Sequence, residues 1–495
     1  MVVPGPPPPD PALDTLLRAG RWAEALPSAE RGVAASTACT PVHSMLASIL
    51  LKLGRVRDAV GVVDRAAELP GTAEAYDGLA YVATELGRHE LANALYRRVV
   101  ELEPQRPRTW YNLACSERSF GRLAAAEEAC GRSVALGGGD YRSVLLRSEL
   151  RVQTPEANHI AELERRLGDS RLALPGRICL GYALAKELDD VGRFDHAFRC
   201  FASAAKARRS QIIYDVAADE QRMQRIARVF SGTTAVDRAS TSAVPRRNDS
   251  APIFVVGLPR SGTTLVERLL TGLAGVRSNG ETDNFARALT LATSAHRGDM
   301  VERAAAADPV AVAAQYARLA GDAACAVAGD RLVEKLPTNY LYLGAIQRAL
   351  PGAKIVWVRR SPLDSCFAMY RALFGDVYPF SYDFDELARY HAAYDRLMKH
   401  WLTLFGGAIH QVIYEDLVRD PQRVGAALAG YCGLAWRPEA VDIQRNPSVS
   451  LTASAAQVRR PIHGSSSGRW RHYRPQLESL IEALRRRGVA LPDDA

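Results

Sequence analysis

Through roughly the first 230 residues, apolar positions follow the spacing of amphipathic helices, and that pattern repeats along the chain. A Gly-Arg step stands at Gly20-Arg21, Gly54-Arg55, Gly87-Arg88, Gly121-Arg122 and Gly192-Arg193, with alanine five residues after each glycine (Ala25, Ala59, Ala92, Ala126 and Ala197). The first four steps are 34, 33 and 34 residues apart. The last gap is 71, two periods with one degenerate unit between, within 145–175. Such a unit predicts two antiparallel helices, the glycine ending the first in a left-handed cap and the alanine letting the second approach closely. The helical pattern fades near Phe230, and residues 232–251 are rich in Ser, Thr, Ala and Pro without periodicity, as a linker would be.

Beyond the linker the period changes. Residues 253–257 (IFVVG) form a short continuous apolar run, the mark of a buried parallel strand, and LPRSGTTLVERLL then turns into an amphipathic helix. Further strands are expected near Val276 and at 331–334, 354–358 and 409–414. A doubly wound parallel sheet binds ligands at the carboxyl ends of its strands, and at these ends stand Glu281, Lys335, Arg359, Arg360, Tyr414 and Glu415. The expected organisation is a disordered proline-rich tail at 1–10, a helical repeat domain over 11–231, the linker at 232–251 and an α/β domain over 252–487. The fold class is therefore α plus α/β, a helical solenoid followed by a P-loop-like domain with a parallel sheet.

Composition narrows the function classes. The 495 residues, 47% hydrophobic, suit several domains with sizeable cores. The net charge is +8, but only six of the 63 basic residues are lysine, so most arginines read as solvated surface and nucleic-acid binding is not expected. No apolar run reaches the 18 or so residues of a membrane span, and the first residues lack a secretion signal. Eight scattered cysteines without a CxxC pair point to small core residues in a reducing, cytoplasmic setting, with neither disulfides nor a metal site.

Chemistry concentrates around the first strand. The spacing Gly257-x4-Gly262 copies the phosphate loop of nucleotide hydrolases, but Thr263-Thr264 stand where that loop needs Lys-Ser or Lys-Thr. Arg260, Ser261, Gly262, Thr263 and Thr264 still make an anion cradle at a helix N-terminus, suited to a 5′-phosphate bearing a second anionic group rather than to a magnesium triphosphate. A P-loop kinase is disfavoured accordingly. Glu281, 21 residues beyond Arg260, would oppose an anion unless it handles a proton. Lys335 is conspicuous in an arginine-dominated chain, where a compact ammonium must be what the site requires. Residues 457–477 hold Arg459, Arg460, Arg469, Arg471 and Arg474 with no acidic residue among them.

The repeats resemble the tetratricopeptide repeat, with WYNLACSERSFGRLAAAEEAC the best copy, and PRSGTT resembles the 5′-phosphosulfate loop of sulfotransferases. The wider pattern is similar to bacterial proteins joining such repeats to a sulfotransferase domain, and to tyrosylprotein sulfotransferases. The resemblance implies transfer of a sulfuryl group from 3′-phosphoadenosine 5′-phosphosulfate (PAPS) to an acceptor hydroxyl, without a metal. Arg260 and residues 261–264 would hold the 5′-phosphosulfate, Lys335 would steady the leaving phosphate, and Glu281 would be the general base. Arg360 matches the family's 3′-phosphate arginine, but the serine expected eight residues later is Ala368, so either Ser365 supplies the hydroxyl or the contact is lost. Arg459, Arg460 and Tyr414 complete the implied nucleotide site. For the acceptor, a peptide or protein tyrosine presented by the repeats stands beside a small molecule or glycan with the repeats as scaffold. An inactive PAPS-binding interaction module is the remaining alternative. A partner protein in the repeat groove and a homodimer both fit this frame.

Overall fold

The structure, a computed structural model, describes residues 11–137, 141–232, 251–321, 330–452 and 454–492. The proline-rich segment 1–10 and nearly all of the 232–251 linker lie outside the described residues. The chain forms two compact units. One holds the described residues up to Ser143 with Arg318–Gly321, the other Val144–Ala317 and the described residues from 330 onward.

The first unit is a run of helix pairs, among them Val56–Glu68 with Ala73–Glu85, His89–Leu102 with Pro107–Ser119, and Leu123–Leu136. The Gly-Arg step works as the spacing predicts. Gly54, Gly87 and Gly121 take φ of 73°, 73° and 78°, a left-handed conformation that a β-carbon would strain. The arginine's N–H then reaches back to the end of the helix, from Arg55 to Leu50 O and from Arg88 to Ala83 O, both at 2.8 Å. Ala25, Ala59, Ala92 and Ala126 are all buried, where a larger side chain would push the paired helices apart.

Periodicity placed one repeat domain up to 231, but the helices Ile160–Leu167, Leu174–Asp190, Phe194–Arg209 and Val216–Val229 belong to the second unit. The local repeat chemistry persists there: Gly192 has φ of 78° and Ala197 is fully buried. What differs is the partner of the outer face. Phe194 stacks on His472 with ring centroids 4.4 Å apart, and Asp189 pairs with Arg371 and Arg469. A repeat pattern reports how two helices pack on each other, not what the pair is buried against.

The core of the second unit is a five-stranded parallel sheet, β1 (Ile253–Gly257), β2 (Val276–Ser278), β3 (Arg331–Lys335), β4 (Lys354–Arg359) and β5 (Ile409–Ile413), in the order β2-β3-β1-β4-β5. All five strands match the expected segments. β1 is central and buried along its whole length, as a continuous apolar run requires when helices cover both faces. Ile253 and Val255 join Val333, Val356, Val358 and Val412 in one core, while Phe254 faces Phe285 and Tyr316 on the other side. The chain leaves β1 toward β2 on one side and leaves β4 toward β5 on the other, so the connections diverge between the carboxyl ends of β1 and β4.

Candidate active site

The loop after β1 enters the helix Thr263–Thr271 through Gly262, whose φ is 105°. A β-carbon there would lie 2.5 Å from Cδ2 of Tyr414, the first residue of the helix Tyr414–Arg419, so only glycine lets the loop lie against that ring. Arg260 is the one non-glycine residue with positive φ among the described residues, at 65°. The N–H groups of Gly262, Thr263 and Thr264 have no acceptor in their own helix and converge at its positive end. Ser261 Oγ is buried and has no hydrogen-bond partner among the described residues. Such a group needs an acceptor or donor from outside the protein.

A cavity of about 800 Å³ opens at this point, at the carboxyl ends of β1 and β4. Of the sequence-singled residues, Arg260, Gly262, Thr263, Thr264, Glu281, Arg360, Tyr414 and Arg460 line it. Arg360 Nη1 donates to Arg260 O at 2.8 Å, which bridges the two diverging connections, and its guanidinium lies 4.8 Å from the centre of the Tyr414 ring. Tyr414 OH pairs with Ser466 Oγ at 2.8 Å. Arg260 Nη2 donates to Gln457 Oε1 at 2.9 Å, and burial together with the nearby Arg360 guanidinium pushes Arg260 down to about 10. Among the described residues no carboxylate lies in ion-pair distance of Arg260, Arg360 or Arg460.

Four expected residues sit apart from the cavity wall, the buried Ser261 among them. Arg459 turns inward and donates to Asn446 O at 2.9 Å and Ser448 O at 2.8 Å, where burial lowers its pKa. Ser365 is buried within the helix Pro362–Tyr370, while Ala368, one turn on, lines the cavity. Lys335 is fully buried and reaches the cavity only through Glu281: its Nζ donates to Glu281 Oε1 at 2.7 Å and lies 3.4 Å from Glu267 Oε2.

Two further acidic side chains flank the site, of which sequence reasoning missed Glu267. Glu267, on the helix that the phosphate loop opens, accepts from Ser278 Oγ and forms the second half of the Lys335 cage. Its signal was an acidic residue on the buried face of an amphipathic helix. Glu334 is fully buried on the opposite side of β3 from Lys335, as strand alternation dictates, and accepts from Thr282 Oγ1 at 2.7 Å, so the two neighbours do not pair. Burial pushes Glu334 up to about 7, against hydrogen bonds from Thr282, Asn284 and Tyr316. Among the described residues no cluster of three His, Cys, Asp or Glu could hold a metal ion, and no helix is long and apolar enough to cross a membrane.

Residues 252–438 match the sulfotransferase family, and residues 12–74 and 78–141 match the tetratricopeptide repeat. An uncharacterized protein of Aquifex aeolicus (strain VF5) is 29% identical over 384 residues, 74% of this chain, and the chain spans 48% of that relative's length. The sulfotransferase domain of the Synechococcus PCC 7002 olefin synthase is similar at 20% identity and a TM-score of 0.34, covering 50% of this chain and 98% of that one. A sulfotransferase from Alicyclobacillus acidocaldarius is similar at 17% identity and a TM-score of 0.27, covering 50% of this chain and 98% of that one. The chain thus joins an N-terminal run of tetratricopeptide repeats to a C-terminal domain of the sulfotransferase family.

Proposed function

We propose that the second unit transfers a sulfuryl group from PAPS to an acceptor hydroxyl. The observation that carries this reading is the set of three guanidiniums, Arg260, Arg360 and Arg460, without carboxylate partners around a loop that also holds the unpartnered Ser261 Oγ. Guanidiniums so grouped suit a polyanion, and the helix N-terminus beside them is suited to the phosphosulfate. The 3′-phosphate would then rest against Arg360 and Arg460, with Ala368 offering it no hydroxyl.

Glu281 and Lys335 divide the chemistry. The Lys335 ammonium donates to Glu281 Oε1 and holds that carboxylate at the cavity wall. As the acceptor oxygen bonds to sulfur, Glu281 takes its proton, and the bond from sulfur to the 5′-phosphate oxygen breaks with its electron pair left on that oxygen. Glu281 loses its charge in this step. Lys335 then keeps only Glu267 as its ion-pair partner while negative charge grows on the leaving phosphate, so one proton transfer serves both ends of the reaction. The repeats of the first unit would bind a polypeptide, as acceptor or as partner.

Calorimetry with adenosine 3′,5′-bisphosphate tests the reading. Wild-type protein should bind it and Arg260→Ala should not; absence of binding to wild-type protein would overturn the assignment. Transfer of radiolabel from PAPS to components of a host lysate, followed by mass spectrometry, would then identify the acceptor.

A further inference from the structure

Asp189 is the last but one residue of the helix Leu174–Asp190, and its side chain is fully buried. Three groups converge on it. Arg469 donates from Nη2 and Nε to Oδ2, at 2.6 and 3.1 Å. Arg371 donates to the same oxygen, and Tyr473 OH donates to Oδ1. Burial alone would raise this carboxyl, but the two guanidiniums hold it below its ordinary value. One carboxylate thus bridges and aims two arginines, and both of them line the cavity.

Arg469 and Tyr473 belong to the segment 464–477, which is fastened along both edges. Toward the nucleotide loop, Arg360 donates to Ser466 O, Tyr414 bonds Ser466 Oγ, and Gly468 N–H donates to Asp364 Oδ2 at 2.7 Å. Toward the repeat-like helices, it is held by Asp189, by the Phe194–His472 stack and by Gln476 on Asp195. The first set of contacts is made by residues that follow β4 and β5. The second is made only by helices that the sequence pattern groups with the repeats.

We infer that Asp189 is a positioning residue for the nucleotide site: it fixes Arg371, Arg469 and the segment 464–477, and so makes the helix pair 174–209 a working part of the catalytic unit. The idea rests on the sulfuryl-transfer reading for its kinetic consequence, but its structural part stands by itself. Asp189 touches no reacting atom. Losing its carboxylate leaves two guanidiniums facing one another, and the segment that carries Arg469 comes loose.

Full-length Asp189→Asn is compared with wild type by hydrogen exchange and by donor kinetics. Exchange should rise in 464–477 while β1 stays protected, and KM for PAPS should rise about tenfold or more with kcat at saturation within about threefold. Arg469→Met, which leaves the Asp189–Arg371 pair intact, should loosen the same segment even if Asp189→Asn folds poorly. Unchanged exchange in 464–477 in both variants overturns the inference, and so does a rise spread equally over β1, which would make Asp189 a residue of general stability. If the segment loosens as expected but wild-type protein binds no adenosine 3′,5′-bisphosphate, the positioning role stands and the donor assignment falls.

Discussion

Lys335 Nζ lies 2.7 Å from Glu281 Oε1, at the carboxyl end of a central strand and out of contact with solvent. The same ammonium faces Glu267 at 3.4 Å, so a single cation sits between two carboxylates. Lys335→Met should lower kcat by about 10²–10³-fold. It also strands the buried Glu267, so urea titration should record a loss of about 3–5 kcal/mol in unfolding free energy.

Glu281→Gln separates base from scaffold. Its amide oxygen can still accept from Lys335, but the side chain no longer takes a proton. Turnover should drop by about 10²–10⁴-fold, while calorimetry finds adenosine 3′,5′-bisphosphate binding unchanged. Full turnover in the variant would remove Glu281 from the base role.

Gly262→Ala tests the loop. The added methyl group meets Tyr414 at 2.5 Å on a backbone held at φ of 105°. Strain of this kind costs about 1–3 kcal/mol, and the loop must leave the ring to relieve it. The melting temperature should fall and bisphosphate affinity with it; an unaltered affinity would show that the anion does not sit on this helix N-terminus.

Glu334 supplies a pH dependence with a defined sign. Its folded value of about 7 lies above the ordinary 4.5, so the native state holds a proton that the unfolded chain has released. The stabilisation is complete below about 4.5 and is lost as pH rises through about 7. A shift of this size is worth about 3 kcal/mol. The groups around it are Thr282, Asn284, Tyr316 and, at longer range, Asp283. Chemical denaturation from pH 5 to 8 should show this decline in wild-type protein and a flatter profile in Glu334→Gln; parallel profiles would refute it.

Features set by local sequence were legible before any coordinates. The Gly-Arg caps, the five strands and the loop Arg260–Thr264 each depend on a few neighbouring residues, and Lys335 stood out because lysine is scarce. Features set by packing were not. Arg459 and Arg460 are adjacent and chemically alike, yet one caps buried carbonyls and the other faces the cavity. Ser365 and Ala368 differ by one helical turn, and which of them faces the ligand depends on how that helix is rotated against the sheet. Glu267 and Asp189 gained meaning only from partners 68 and up to 284 residues away, a separation that no motif spacing encodes.

The uncompensated guanidiniums around Arg260 also bear on how the protein is handled. Arg260 and Arg360 repel one another, an effect that Glu149 only partly offsets at Arg260, and inorganic sulfate or phosphate can relieve that repulsion by the same contacts as a nucleotide. Purification in such buffers would raise the melting temperature and weaken apparent nucleotide affinity in proportion to anion concentration. The choice of counter-ion is therefore itself a titration of the site, and chloride solutions of low ionic strength are the proper reference state.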